Sequence, residues 1–245
     1  MIRENVLKVQ SQIQDACRQA GRKPAEVALV AVTKLVPLEA IQDAIDNGIT
    51  DIAENRVQEA QKKFPPLLAK NIQVRSHIIG HLQTNKVKDA IQVGALSVLI
   101  QSVDSLKLAN EIEKQAVKLN KSVDILVQFN TAQEEQKFGA TNKEALTLIE
   151  GISQLAHIRI KGLMCMAPYT EDQGIIRKVF SDLRDIRDQI RARFAGHPKV
   201  ETGILSMGMS GDYKIAIEEG STMVRIGSAI FNVGAEHVRP VQEKI

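Results

Sequence analysis

A single α/β barrel of the (β/α)8 TIM type, with an extra N-terminal helix, is the fold class that this sequence predicts, and three observations predict it. Eight short apolar runs alternate with helical stretches, and strands alternating with helices form parallel βαβ units. The chain has 245 residues, close to the ~250 that one such barrel occupies. Tryptophan is absent and aromatic residues make up 3% of a chain that is 44% hydrophobic. The core is therefore built from Ile, Val, Leu, Ala and Met, a composition that buried parallel strands favour. An open doubly wound sheet is the other reading of the same alternation. With no internal linker or low-complexity tract, 1–245 reads as one domain.

The first element is a helix over 1–21. Ile2, Val6, Val9, Ile13 and Cys17 fall on one face, and Gly21 is placed to end it. Strands are expected at Val27–Thr33, Ile49–Ala53, Val74–Ile79, Leu96–Gln101, Val123–Phe129, Ile158–Met164, Gly203–Ser206 and Thr222–Ile226. Helices are expected to begin near Pro37, Asn55, Gln83, Ser105, Asn142, Asp172 and Asp212. The clearest places Ile176, Val179, Phe180, Leu183, Ile186 and Ile190 on one face. Asp104 is a candidate cap for the fourth of these helices, and Thr141 or Asn142 for the fifth. Only a short tail is expected after the eighth strand, with 235–245 exposed.

Charged residues make up 25% and the net charge is +3. No long run of like charge and no basic patch interleaved with aromatics is present, which argues against nucleic acid as a partner. Cys17 and Cys165 form no CxxC pair and read as reduced thiols of a cytoplasmic protein. The charged N-terminus is not a signal peptide, and no apolar stretch is long enough to span a membrane. No histidine or carboxylate lies at metal-ligand spacing, so no metal is expected. The lack of an exposed-looking apolar stripe points to a monomer.

In a barrel, function sits where strands end. Lys34 closes the first apolar run, Ala28 to Thr33. A lysine held at the mouth of a barrel is partly desolvated, which disfavours the ammonium and suits a Schiff-base amine. The plain alternative is an ordinary loop lysine. The loops after strands seven and eight are where such barrels bind phosphate. Ser206, Gly208, Ser210 and Gly211 fill one of them, and Gly227 and Ser228 the other. Arg225, inside an apolar strand, needs a partner; that is either a structural salt bridge or the ring nitrogen of a cofactor. His77 points either into the barrel or into a helix interface, and His81 lies in a loop. Cys165 has no evident base beside it, so a nucleophile is the lesser reading.

The motifs LVAVTK (29–34), AENRVQE (53–59), HIIGHLQTNK (77–86), KFGA (137–140), GLMCMAPY (162–169) and LSMGMSGDYKIAIEEGSTMVRIGSAIF (205–231) span nearly the whole chain. In these segments it resembles the pyridoxal phosphate homeostasis proteins, the YggS/PROSC group. Those look like the barrel half of the alanine racemase-type, fold-type III pyridoxal phosphate enzymes. The resemblance implies that Lys34 holds pyridoxal 5'-phosphate as a Schiff base. It implies that Ser206, Ser210, Gly227 and Ser228 bind the phosphate. It assigns Arg225 to the pyridine nitrogen, and Asn55, His77 and Met164 to the sides of the ring. Lys137 resembles a family lysine near the barrel mouth. Four positions depart from the family pattern: Ala53 for a glycine, Ser76 and Ile78 where aromatics are common, and Asn232 for a glycine.

An arginine at the pyridine nitrogen keeps it unprotonated and makes the ring a poorer electron sink. The related racemases also add a second domain with a catalytic tyrosine. The expected function is therefore cofactor holding in vitamin B6 and amino-acid homeostasis, without robust catalysis. Pyridoxal phosphate-dependent apo-enzymes are the candidate recipients. The alternatives are a weak amino-acid racemase using Lys34 with Tyr169 or His81, and a cofactor-free phosphosugar enzyme using Glu54 as base.

Overall fold

The computed structural model describes residues 1–71, 73–94, 98–132 and 138–232. Eight parallel strands close into a barrel in chain order. They are β1 (Ala28–Val32), β2 (Asp51–Glu54), β3 (Arg75–Ile78), β4 (Val98–Val103), β5 (Val123–Gln128), β6 (Ile158–Met164), β7 (Val200–Ser206) and β8 (Met223–Ile226). Closure rests on β1 meeting β8, with Val30 opposite Arg225 and Ala31 opposite Ile226. The open-sheet alternative is thereby excluded. The expected start of the fourth strand, at Leu96, lies outside the described residues.

Strand alternation sorts the side chains into two cores. Ala31, Ile52, Ile78, Ile100 and Ile125 point outward and are sealed by helices, whereas Val30, Ala53 and Met223 fill the barrel interior. Burying each such Ile or Leu contributes ~1.5–3 kcal/mol, so the register of every strand is fixed by which face it must bury.

The outer layer is α2 (Leu38–Asp46), α3 (Val57–Lys70), α4 (Val87–Gln92), α5 (Leu106–Leu119), α6 (Ala145–Ser153), α7 (Gln173–Arg193) and α8 (Tyr213–Glu218), each following its strand. Helix α3 continues through Pro65 and Pro66. Burial of Phe64, Leu67 and Leu68 on its inner face offsets the lost backbone hydrogen bonds. The N-terminal helix α1 (Ile2–Gln19) packs against α2 and α8, so it fills the eighth place in the ring. Tyr213 donates to Gln12 Oε1 at 2.9 Å across that contact.

Two expectations are corrected. Ser105, not Asp104, caps α5: its hydroxyl accepts from the Leu108 N–H, while Asp104 faces His81. The eighth strand is followed by a further short helix, α9 (Ser228–Phe231), held by Asn5 donating to the Ile230 carbonyl at 2.9 Å. The expected tail, 235–245, lies outside the described residues. Thr141 meets Glu144 at the 3-10 turn before α6, its hydroxyl donating at 2.7 Å.

Candidate functional site

At the C-terminal end of the barrel lies a cavity of about 190 Å³. Val32, Lys34, Asn55, Ile79, Gly80, His81, Gln128, Phe138, Met166, Met209 and Arg225 line it. Lys34 and Arg225 are thus brought together from the ends of adjacent strands. Lys34 stands on a turn closed by the Val36 N–H donating to the Thr33 carbonyl at 3.0 Å. Leu35 occupies the turn with φ of +62°, a left-handed conformation that costs a leucine ~1–2 kcal/mol. It is 71% exposed, so packing does not explain its place there. Strain of this kind gathers at functional turns. Lys34 itself is exposed, which corrects the expectation of a partly desolvated lysine.

Behind the turn, Thr33 is anchored by two residues that also pair with each other. Its hydroxyl donates to Glu54 Oε1 at 2.8 Å, Lys63 Nζ donates to its carbonyl at 2.9 Å, and Lys63 pairs with Glu54 at 2.8 Å. Glu54 therefore faces α3 and not the cavity, which removes it as the base of a phosphosugar enzyme.

Arg225 is buried, and its two hydrogen bonds among the described residues go to neutral acceptors. Nη1 donates to Ser206 Oγ at 2.6 Å and Nη2 to the Cys165 carbonyl at 2.9 Å. No carboxylate lies within ion-pair distance among the described residues, so the structural salt bridge is not what holds it. Its burial favours the neutral form and lowers its pKa, opposed by the fields of Cys165 and Asp212. Burial likewise pushes the Cys165 thiol up to about 12. A thiol that far from ionisation at neutral pH is no nucleophile.

The hydrogen bonds continue inward. Ser206 Oγ donates to Gln101 Oε1 at 2.7 Å, Gln101 Nε2 meets His77 Nδ1 at 3.0 Å, and His77 Nε2 meets Asp51 Oδ1 at 2.9 Å. Arg75 and Thr50 hold Asp51 Oδ2 at 2.8 and 2.7 Å. Burial alone would raise the Asp51 carboxyl, but hydrogen bonds from His77 and Arg75 overcome it and hold it at about 2. His77 thus points into the barrel.

His77, Met164 and Ser206 are buried and are not on the cavity wall. For His77 and Ser206 the reason is physical: the network above occupies their polar atoms. Met166, two residues on, reaches the wall where Met164 does not. The two loops expected to take phosphate flank the cavity. Met209, beside Ser210, is on its wall. Gly208, at φ of +98°, lets the first loop turn tightly, since a methyl there would meet Ala216 Cβ at 2.6 Å. Gly227 packs against Val32, and Ser228 is exposed at the start of α9. Asn55 reaches the cavity because Gly80 lets the two backbones touch: a Cβ on Gly80 would lie 2.0 Å from the Asn55 carbonyl. Lys137 lies outside the described residues.

Sequence reasoning passed over the apolar wall. His81 stacks on Phe138 with ring centroids 3.8 Å apart, and Gln128 donates to the Phe138 carbonyl at 3.0 Å. Tyr169 is 96% exposed and absent from the cavity wall. The arrangement offers an exposed amine, a buried cation with unused N–H groups, a flat aromatic wall, and two loops rich in glycine and serine. It suits a planar, anionic carbonyl compound.

The alanine racemase N-terminal domain family matches residues 7–234. A pyridoxal phosphate homeostasis protein of Aquifex aeolicus is 40% identical over 93% of this chain and 96% of its own. This chain belongs to the pyridoxal phosphate homeostasis protein family. A second homeostasis protein, from Pasteurella multocida, is 36% identical over 94% of this chain and 96% of its own. PipY of Synechococcus elongatus, solved with pyridoxal phosphate bound, superposes with a TM-score of 0.80 at 30% identity, covering 94% of this chain and all of PipY. The alanine racemase of Clostridium difficile shares the fold alone, with a TM-score of 0.72 at 15% identity over 93% of this chain and 56% of its own.

Against the homeostasis-family pattern, the four departures have physical readings. Asn232 sits at φ of +54°, where asparagine is the usual substitute for glycine. Ala53 is buried inside the barrel, and Ile78 faces the helices. Ser76 is buried beside it in β3. Neither β3 departure reaches the cavity wall.

Proposed function

We propose that this homeostasis protein holds pyridoxal 5'-phosphate on Lys34 and serves vitamin B6 and amino-acid homeostasis as a carrier without robust catalysis. The observation that carries this reading is the shared cavity of Lys34 and Arg225. The donor set fits the cofactor. The Lys34 amine matches its aldehyde. Arg225, with three of its five N–H donors uncommitted among the described residues, matches its ring nitrogen. The loops of Ser210, Gly227 and Ser228 match its phosphate, while Ser206, expected beside them, spends its hydroxyl on Arg225 and Gln101. Bound there, pyridoxal phosphate supplies an aldehyde that condenses reversibly with the Lys34 amine, releasing water. Asn55 and the His81–Phe138 stack flank the ring and limit water at its faces, while Met164 and His77 support the wall from within.

Two features favour holding over turnover. Arg225 has no basic lone pair to share and only donates, so it keeps a proton off the ring nitrogen and weakens the electron sink. Neither tyrosine lines the cavity: Tyr213 is bound to Gln12, and Tyr169 is exposed to solvent. Exposed Leu35 and Tyr169 near the mouth suit contact with recipient apo-enzymes. The reading takes the protein as a cytoplasmic monomer with reduced cysteines, both of them free and buried. His81 on the wall supports a second reading, a weak amino-acid racemase with His81 opposite Lys34.

Borohydride reduction of the loaded protein, followed by peptide mapping, tests the first step. An adduct on Lys34 is expected, and its absence removes both readings. Racemisation and transamination are then assayed over a panel of amino acids. Turnover in the ordinary enzyme range of ~1–10³ per second would refute the carrier.

A further inference from the structure

Among the described residues, the buried Arg225 guanidinium forms no ion pair. Asp212 acts on it through its field, but its carboxylate accepts from the Met209 N–H and forms no ion pair with Arg225. A buried guanidinium without an ion pair is expensive, so the groups that satisfy its hydrogen bonds matter. The chain of hydrogen bonds through the barrel interior leads to one carboxylate, Asp51. Its direction follows from its two ends. Arginine only donates, so Ser206 Oγ accepts from Arg225 and must send its own proton on to Gln101 Oε1. That leaves the Gln101 amide N–H₂ facing His77 Nδ1, which must accept. The imidazole proton then resides on Nε2 and is donated to Asp51, which only accepts. Along the chain each donor points from the cation toward the anion, with Gln101 Nε2 also donating to Met223 Sδ at 3.3 Å, and such a chain is polarised along its length.

We infer that Asp51 is the anion that anchors the donor chain of Arg225, reached across the barrel through Ser206, Gln101 and a neutral His77. Asp51, His77 and Gln101 are positioning residues: they fix the Arg225 guanidinium and set the potential it presents to the cavity. The inference rests on the cofactor reading only for that last consequence. The charged and titratable groups around the chain are Arg75 at the Asp51 end, and Asp212 and Cys165 at the Arg225 end.

Two measurements test it. The first needs no cofactor. Long-range ¹H–¹⁵N correlation of His77 in the unloaded protein should show a neutral ring protonated on Nε2 at neutral pH. An imidazolium, or a proton on Nδ1, overturns the inference. The second titrates the visible absorbance of pyridoxal phosphate bound to the wild type, to Asp51→Asn and to Gln101→Met. Asp51→Asn preserves shape and removes the anion, leaving the cavity more positive. The apparent pKa of the bound chromophore should fall by about half a unit, roughly threefold in the protonation constant. Gln101→Met breaks the chain in the middle and should also move it. Unchanged titrations in both variants, with only thermal stability lowered, would mean the network is structural and overturn the inference. Borohydride mapping of the wild type separates the cases: no adduct on Lys34 sinks the cofactor reading, while the His77 tautomer still decides the chain.

Discussion

Lys63 and Glu54 form an ion pair, Nζ to Oε1 at 2.8 Å, buried behind the turn that carries Lys34. The second oxygen of Glu54 has no hydrogen-bond partner among the described residues, so the carboxylate depends on this cation and on the Thr33 hydroxyl. Removing one member of such a pair strands the other, at a cost of roughly 3–5 kcal/mol. Lys63→Met should lower stability by about that amount in urea denaturation. Adding Glu54→Gln should recover part of it. A Lys63→Met loss below about 1 kcal/mol would show that the pair is solvated.

Asp51 makes a second prediction, with a definite sign. Its folded pKa, about 2, lies below the ordinary 3.8. The stabilisation is therefore fully present above 3.8 and lost as pH falls from there through 2. It amounts to roughly 2 kcal/mol. Urea midpoints measured across that interval should fall steeply in the wild type and more gently in Asp51→Asn. Parallel slopes would contradict the assignment.

Gly208 cannot accept a side chain without moving its neighbours. A methyl there would meet Ala216 Cβ at 2.6 Å and Tyr213 Cα at 2.9 Å, and the backbone stands at φ of +98°. Gly208→Ala should cost about 2–4 kcal/mol and weaken pyridoxal phosphate retention. Gly203→Ala, where an added methyl meets nothing within 4 Å, serves as the stability control. Equal melting temperatures for the two variants would refute the crowding argument.

Leu35 predicts a gain. Leu35→Gly relieves a left-handed leucine while giving up little burial. The relief of ~1–2 kcal/mol exceeds the added entropy of the unfolded glycine, ~0.4–1 kcal/mol. A net rise of about 0.5–1 kcal/mol is expected in chemical denaturation. A loss would mean that the exposed leucine is held by contacts that outweigh its strain.

The barrel was legible because each strand is a short apolar run whose outer face must be covered, and that pattern survives in sequence. Lys34 and Asn55 were legible because a polar residue at the end of such a run goes to the mouth, and Arg225 because a charge inside an apolar strand needs a partner. Phe138, Met166 and Met209 were not, because apolar side chains in loops look the same whether they pack inward or wall a cavity. The surroundings of His77 were hidden for another reason. Its partners Asp51 and Gln101 sit on the strands either side of β3, and only strand register brings them together. Solvent exposure of Lys34 was misjudged because position after a strand says nothing of how deep the rim is.

The pairing of β1 with β8 gives the cavity an all-or-none origin. Its amine comes from just after the first strand and its guanidinium from the last, so neither half of the chain holds this cavity by itself. On the proposed reading, a growing polypeptide exposes Lys34 early but completes the cavity around it only when Arg225 has left the ribosome and the ring has shut. Ligand retention on that reading reports on finished assembly, and a chain that stops before the eighth strand is expected to hold the cofactor less well than the closed ring.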